Sequence, residues 1–421
     1  MKKIFNVASV FVYKYSLFFL IGFLIANSFD YIFVELNSFT NAGIVYRGIV
    51  LFLYVVFALL ITIKSEIIKN RMFVYVSALY ILFSLISIVN ITFNPPLQSV
   101  QVSCIDYVKS IGQMLVNVIS IIVLFSISKI DNKEKVIASY IILGIVTLSI
   151  IYSLIKDYDS IINTFIKYDH SNYDVKSFFV DKNTFGLLLF LGSIISYYLH
   201  KSKSKWYNVP TFLIFVYSII IRCKTAVLLI FVVTLVSLIE IFIILFRKNK
   251  KTFTVVLTST VSLLALSLIL LSLKAGPFKY IYSVLFDEYG LFYDAYIVMA
   301  DRFNNWGYSI NKISLFPYVL LGFSERIYQL FITCPVDNIF ILCLLSGGVI
   351  KLLIYLFLLF VLYKKSIKNR TMLFVLSLLV LYGFMQDYSM VGISFSSIIF
   401  AIIILLYSDP ICFCPLTYIQ K

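Results

Sequence analysis

Runs of apolar residues recur along the whole chain, separated by short polar segments. The run from Val255 to Leu273, for example, carries no charge and is interrupted only by serine and threonine. A helix needs about 20 apolar residues to cross the hydrocarbon core of a bilayer. The pattern therefore predicts an all-α, polytopic membrane protein with about twelve transmembrane helices, forming a single integral membrane domain over residues 1–421. The predicted spans are 9–27, 44–63, 72–91, 107–128, 136–155, 183–199, 208–221, 225–246, 253–273, 338–363, 371–386 and 389–407.

The polar segments alternate in charge. Six of them are basic, whereas most of the others are neutral or acidic. Lysine and arginine collect in the cytoplasmic loops of membrane proteins. The alternation therefore places both termini in the cytoplasm, and it supports the span count. The basic segments lie at 2–3, 64–71, 129–135, 201–205, 247–251 and 364–370, and together with Lys421 they hold 20 of the 35 basic residues.

Composition agrees with this prediction and removes other classes of protein. Apolar residues make up 61% of the chain and charged residues only 13%, against about a quarter charged in a soluble domain. The net charge is +15, and the basic residues cluster in short segments between apolar runs. We therefore expect a lipid bilayer as a partner and no nucleic acid. Six cysteines without C-x-x-C spacing and two histidines indicate no metal site, and no cofactor is expected. Cys104 and Cys334 could form a disulfide outside the membrane or remain as small apolar side chains.

Two connecting segments are longer than turns, and the alternation places both on the outer side. The first covers 156–182 and the second covers 274–336. Aromatic and charged residues are mixed through the second, which predicts amphipathic helices on or near the membrane surface. Long loops in compact proteins are usually functional, so candidate chemistry is sought there.

Two candidate positions lie where these segments meet helices. Asn183 follows Asp181 where the first long loop enters a helix, and this turn either caps the helix or shapes the floor of a site. Arg222 and Lys224 place two positive charges at an outer helix junction, against the positive-inside preference. They either extend to the outer headgroups or hold a phosphate or pyrophosphate through charge-assisted hydrogen bonds.

The second long loop and the helix after it supply four further candidates. Arg302 is either a surface charge or a substrate contact. Trp306 is either an interfacial anchor or a flat face for a sugar ring. Asp337 precedes Asn338 at the start of the tenth predicted helix, and it is either the N-cap of that helix or a general base facing the outer side.

One charged residue lies well inside the tenth predicted span. A charge at this depth must face protein or a water-filled cavity. Lys351 is therefore either a functional group or the partner of a buried acid, for which Asp387 is the candidate.

Five short motifs follow one another between residues 181 and 363. They are D-K-N-T-F-G from Asp181, R-C-K from Arg222, R-F-N-N-W from Arg302, L-G-F from Leu321, and D-N from Asp337 with Gly348 eleven residues later. In this order they resemble the O-antigen polymerase and O-antigen ligase superfamily of bacterial surface-polysaccharide assembly. Cys223-Lys224 stands where that superfamily usually has Ser-Arg, and a lysine lacks the bidentate fork of an arginine. Asp337 stands where ligases typically carry histidine, which favours a polymerase.

The resemblance implies a metal-independent, inverting glycosyltransferase at the periplasmic face of the bacterial inner membrane. The donor would be a growing glycan on undecaprenyl pyrophosphate, and the acceptor would be one repeat unit on the same lipid. A protein that regulates chain length is an expected partner. The implied roles fall to Asp337 as general base, to Arg222, Lys224 and Arg302 as pyrophosphate ligands, and to Asn183, Trp306 and Asn338 as glycan-binding or site-shaping residues.

Three alternatives remain open. A ligase of the same superfamily would transfer finished polymer to the lipid A-core. A flippase for lipid-linked oligosaccharides would also have many helices, but it needs no large outer loop. A scaffold protein of the assembly pathway would need no clustered outer cations.

Overall fold

The computed structural model describes residues 2–35, 40–65, 67, 71–94, 102–127, 130–167, 175–179, 182–221, 223–248, 250–273, 282, 291–314, 316–332, 334–367, 369–386 and 394–407. The regular elements within these residues are helices, without strands. This confirms the all-α prediction. Cys104 and Cys334 are free thiols, so the disulfide considered from the sequence is not formed.

The helices follow the apolar runs of the sequence. They are α1 (Lys2–Lys14), α2 (Ser16–Glu35), α3 (Thr40–Lys64), α4 (Arg71–Phe93), α5 (Cys104–Ser126), α6 (Asn132–Lys156), α7 (Tyr158–Lys167), α8 (Lys182–Ser202), α9 (Asn208–Ile221), α10 (Lys224–Lys248), α11 (Lys250–Ser272), α12 (Leu291–Ile313), α13 (Tyr318–Leu321), α14 (Tyr328–Phe331), α15 (Ile339–Ser366), α16 (Arg370–Met385) and α17 (Phe395–Tyr407), with a short 3-10 turn at Lys205–Tyr207.

Several of these helices suit a lipid bilayer. Six in the described part of the chain are long and apolar enough to cross a membrane. A seventh span results if α1 and α2 form one bent segment, since Asn6–Lys14 and Ser16–Ser28 meet at 76°. Three shorter apolar helices end at Ile221, Met385 and Tyr407. The larger number of about twelve spans stays a prediction.

The chain divides into two compact units. The first contains Met1–Ala138 and Arg302–Lys421, and the second contains Ser139–Asp301. In the first unit α15 packs against α4, α13 and α16, while α3 packs against α1, α2 and α5. In the second unit α8, α9 and α10 pack against one another. Their close approach relies on Gly186, where a Cβ atom would lie 2.5 Å from the Sγ atom of Cys223.

A segment of the predicted second outer loop is inserted into the helices of the first unit. We call residues 316–332, which include α13 and α14, the inserted hairpin. Its side chains Phe323, Ile327 and Phe331 are buried in one apolar cluster with Ile91 and Leu345. These apolar residues therefore pack against other helices, and the position of the segment along the membrane surface stays a prediction.

The inserted hairpin meets α15 at a break in that helix. Gly347 and Gly348 depart from helical geometry, and Gly348 has a φ of 65°. Across from them Gly322 has a φ of 64°, and a Cβ atom there would lie 2.5 Å from the backbone nitrogens of both glycines. The backbone N–H of Phe323 donates to the carbonyl of Leu345 at 2.6 Å. This contact satisfies a carbonyl that the break leaves without its helical partner.

Candidate functional site

Arg302 and Asp337 form an ion pair in the first unit. The Nε atom of Arg302 on α12 lies 3.3 Å from the Oδ2 atom of Asp337, just before α15. The arginine side chain is 12% exposed, whereas the carboxylate is 36% exposed. The pair therefore presents its acidic member toward the surface and keeps its cation mostly buried.

Asn338, rather than Asp337, caps α15. Its Oδ1 atom accepts from the backbone N–H groups of Phe340 at 2.9 Å and Ile341 at 3.2 Å. The side chain is 2% exposed. The N-cap interpretation of Asp337 is therefore wrong, because the neighbouring amide already accepts the first N–H groups of the helix. Asp337 is left one residue outside the helix, beside Arg302.

Two buried N–H donors lie one turn apart on α12. Within the part of the chain that the structure describes, neither the Nε atom of Arg302 nor the Nε1 atom of Trp306 has a hydrogen-bond partner. The short approach of Arg302 to Asp337 thus lacks hydrogen-bond alignment. Trp306 is 6% exposed, and its ring meets Phe303 and Phe384 edge-on at 5.2 and 5.5 Å. Unpaired buried donors are costly in a protein interior, and several other buried side-chain atoms of the described residues also lack a partner.

The other predicted site residues belong to the second unit. Asn183 lies in the first turn of α8, and its Oδ1 atom accepts from the thiol of Cys223 at 3.6 Å. Lys224 begins α10 and is half-buried. Arg222 and Asp181 lie outside the described residues. The structure thus brings Asn183 next to the basic turn, while Arg302, Trp306, Asp337 and Asn338 are grouped in the other unit.

A second charged cluster in the first unit was not foreseen from the sequence. Lys351 donates to the Oε2 atom of Glu325 at 2.6 Å and to the Oγ atom of Ser346 at 2.7 Å. Tyr80 donates to the Oε1 atom of the same carboxylate and accepts from Asn117 at 2.9 Å. We call Lys351, Glu325, Tyr80 and Asn117 the buried network.

The buried network corrects the expected partner of Lys351. Its carboxylate comes from Glu325 in the inserted hairpin, whereas the candidate Asp387 lies outside the described residues. The sequence hid this pairing because Glu325 stands in a segment predicted to lie outside the membrane. The signal that could have found it is the polar residues Tyr80 and Asn117 within apolar spans, since polar side chains there need partners.

We compared the chain with known protein families, curated proteins and solved structures. No protein-family model, no curated protein and no solved structure matches the chain.

Proposed function

We propose that the protein polymerises undecaprenyl-pyrophosphate-linked oligosaccharide repeat units into O-antigen or a similar surface polysaccharide. The reaction would take place at the periplasmic face of the bacterial inner membrane. The observation that carries the proposal is the cluster of Arg302, Trp306 and Asp337. It combines a mostly buried cation, an indole and an accessible carboxylate at the start of an apolar helix.

This cluster suits the chemistry of glycosyl transfer from a diphosphate. The acceptor hydroxyl forms a bond to the anomeric carbon of the donor sugar while the bond from that carbon to the pyrophosphate oxygen breaks. The hydroxyl proton passes to the carboxylate of Asp337. The guanidinium of Arg302 offsets the negative charge that develops on the departing pyrophosphate, and Trp306 offers its N–H group to a sugar or phosphate oxygen.

The residues of the second unit keep their predicted roles. Lys224 and Arg222 remain predicted pyrophosphate ligands, and Asn183 remains a predicted site-shaping residue. The contact between Asn183 and Cys223 supports the last assignment, because it ties the start of α8 to the basic turn.

The proposal is tested by the surface glycan of a deletion strain complemented with single variants. Without the gene we expect lipopolysaccharide core capped with one repeat unit and no ladder of longer chains. Asp337→Asn should lower the polymerisation rate about 10²- to 10⁴-fold, because a general base contributes that much. Asp131→Asn, at an exposed position outside the cluster, serves as the control and should restore the ladder. A full ladder in the deletion strain would contradict the proposal, as would full activity of Asp337→Asn.

One observation favours a second candidate function, a flippase for the same lipid-linked sugars. Transporters place ionisable groups deep in the bilayer, beside broken helices. The buried network and the break at Gly347 and Gly348 have this form. A flippase predicts that the deletion strain traps repeat units on the cytoplasmic side and carries bare core, whereas a polymerase predicts exported single units.

A further inference from the structure

A polar face runs along α5, although this helix is apolar enough to cross a membrane. Residues three and four positions apart lie on the same side of a helix. A polar face at membrane depth is costly unless protein, water or a polar ligand meets it. The face consists of Asp106, Lys109, Ser110, Gln113, Asn117 and Ser120.

Protein groups already meet part of this face. The hydroxyl of Ser110 shares a buried hydrogen bond with that of Ser324 in the inserted hairpin. Asn117 belongs to the buried network. Asp106 accepts from the backbone N–H and the hydroxyl of Ser103 at 3.1 and 2.6 Å. Ser120 is buried, and the Nε2 atom of Gln113 donates to the Oδ1 atom of Asn117 at 3.0 Å. Lys109 and the remaining amide groups of Gln113 are the polar groups of this face that these contacts do not use.

Arg326 of the inserted hairpin lies against Gln113. Its Nη2 atom donates to the Oε1 atom of Gln113 at 3.0 Å. This bond uses one of the five N–H donors of the guanidinium, and its acceptor is a neutral amide. The arginine is exposed. Lys351 differs, because it is only 16% exposed and its charge is matched by Glu325.

Lys109 adds a second cation one helical turn from Gln113. It is exposed and lies on the same face. The two cations outnumber the one carboxylate of this face, Asp106. The surface formed by Lys109, Gln113 and Arg326 therefore favours an anionic ligand.

We propose that Lys109, Gln113 and Arg326 bind the phosphate or diphosphate group of a lipid whose chain lies in the bilayer. A guanidinium matches phosphate oxygens with two parallel N–H bonds. Gln113 lies nine residues after the first residue of α5, about 14 Å along the helix, so the bound phosphate would lie within the span against the polar face. The neighbouring side chains Ile111 and Leu115 are exposed and apolar, so the hydrocarbon chain has a matching surface beside the polar face.

Under the proposed function this lipid would be the polyprenyl diphosphate of a substrate. That identification rests on the proposed function, whereas the phosphate site itself does not.

Binding measurements on the full-length protein in phosphatidylcholine nanodiscs test the proposal. Undecaprenyl diphosphate, undecaprenol and inorganic pyrophosphate are the probes. Arg326→Gln should weaken binding of undecaprenyl diphosphate at least about tenfold, since a hydrogen bond to a charged group is lost. Arg326→Lys should recover part of the affinity. Arg370→Gln, at an exposed arginine that begins α16, is the matched control and should bind as the unaltered protein does.

The probes separate the two sources of phosphate. A lipid site predicts that pyrophosphate alone binds weakly. It also predicts that the affinity for undecaprenol is the same in Arg326→Gln as in the unaltered protein. If Arg326→Gln weakens the binding of free pyrophosphate as much as it weakens the binding of undecaprenyl diphosphate, the lipid assignment is overturned. Unchanged binding of both phosphates by folded Arg326→Gln would overturn the site. If that variant does not fold, Lys109→Gln replaces it, and unchanged affinity there has the same meaning.

The two proposals fail in different ways. Asp337→Asn should lose polymerisation, while its binding of undecaprenyl diphosphate should still weaken when Arg326→Gln is added. If Asp337→Asn still polymerises, Asp337 is not the general base. The phosphate site is then decided separately by the binding affinity of Arg326→Gln.

Discussion

At the scale of single residues, burial decides how the charges of this chain are used. Lys351 and Glu325 are 2.6 Å apart, and their side chains are 16% and 6% exposed. Tyr80 and Ser346 complete the hydrogen bonds of the pair. Among the described residues, by contrast, Arg302 has a carboxylate 3.3 Å away but no aligned hydrogen bond. The hydrogen bonds of the first arrangement are completed by protein, whereas the second leaves a buried N–H group without a partner among the described residues.

The closed pair predicts a specific pattern of stability. Lys351→Met leaves the Glu325 carboxylate buried without its cation, so it should lower the free energy of unfolding by about 3–5 kcal/mol. The double variant Lys351→Met with Glu325→Leu removes both charges and should recover much of that loss. Thermal unfolding of the purified protein in detergent measures both effects.

The control for this pair is Lys133→Met, at an exposed position of α6, which should change stability by less than about 0.5 kcal/mol. A double variant no more stable than Lys351→Met would show that the pair contributes through packing rather than through its charges.

At the scale of elements, α15 is shaped by the segment that precedes it. The helix begins at a cap made by Asn338 and breaks at Gly347 and Gly348. The inserted hairpin packs into the break, and its Glu325 accepts a hydrogen bond from Lys351. The break therefore serves to admit the hairpin, and Asp337 is held at one end of the same helix.

This interlock predicts that Gly348 tolerates no side chain. A Cβ atom there would overlap the backbone of Leu320 and lie 2.5 Å from the nitrogen of Leu321. The positive φ adds about 1–2 kcal/mol of strain for any L-residue. Gly348→Ala should therefore lower the yield of folded protein severalfold, as measured by fluorescence-detected size-exclusion chromatography.

Gly144→Ala is the matched comparison. Gly144 lies in α6, and a Cβ atom there would have nothing within 4 Å. Alanine is favoured over glycine in a helix by about 1 kcal/mol, so the yield should be unchanged or higher. Equal yields from the two variants would mean that the hairpin does not need this close backbone contact.

At the scale of the whole molecule, the basic segments predict one orientation in the membrane. Cys104 is exposed at the first residue of α5, at the end predicted to face outward. Cys412 and Cys414 follow the last predicted span, outside the described residues, and are predicted to be cytoplasmic.

Single-cysteine variants test the orientation. A variant that keeps only Cys104 should react with a membrane-impermeant maleimide in intact spheroplasts. One that keeps only Cys412 should react only after the membrane is permeabilised. The reverse pattern would invert the orientation and place the Arg302–Asp337 pair on the cytoplasmic side.

The sequence motifs marked individual residues, and the structure decided which of them are in contact. Asp337 and Arg302, which lie 35 positions apart in the sequence, do meet in the structure. Asn338 rather than Asp337 caps α15. The sequence pattern did not decide between these neighbours, because the capping position is set by backbone geometry to within one residue. Glu325 was missed, because the pattern of its segment resembles that of a loop and its burial depends on residues far away in the chain.

The sequence by itself determined the helical, apolar character of the protein, because hydrophobic runs and charged boundaries are local properties. It also marked the residues of the Arg302–Asp337 pair. Only the tertiary structure decided that residues 316–332 enter the helices of the first unit, that Glu325 is the partner of Lys351, and that Arg326 stays exposed beside Gln113. These outcomes depend on which distant side chains share a surface, and no local pattern carries that information.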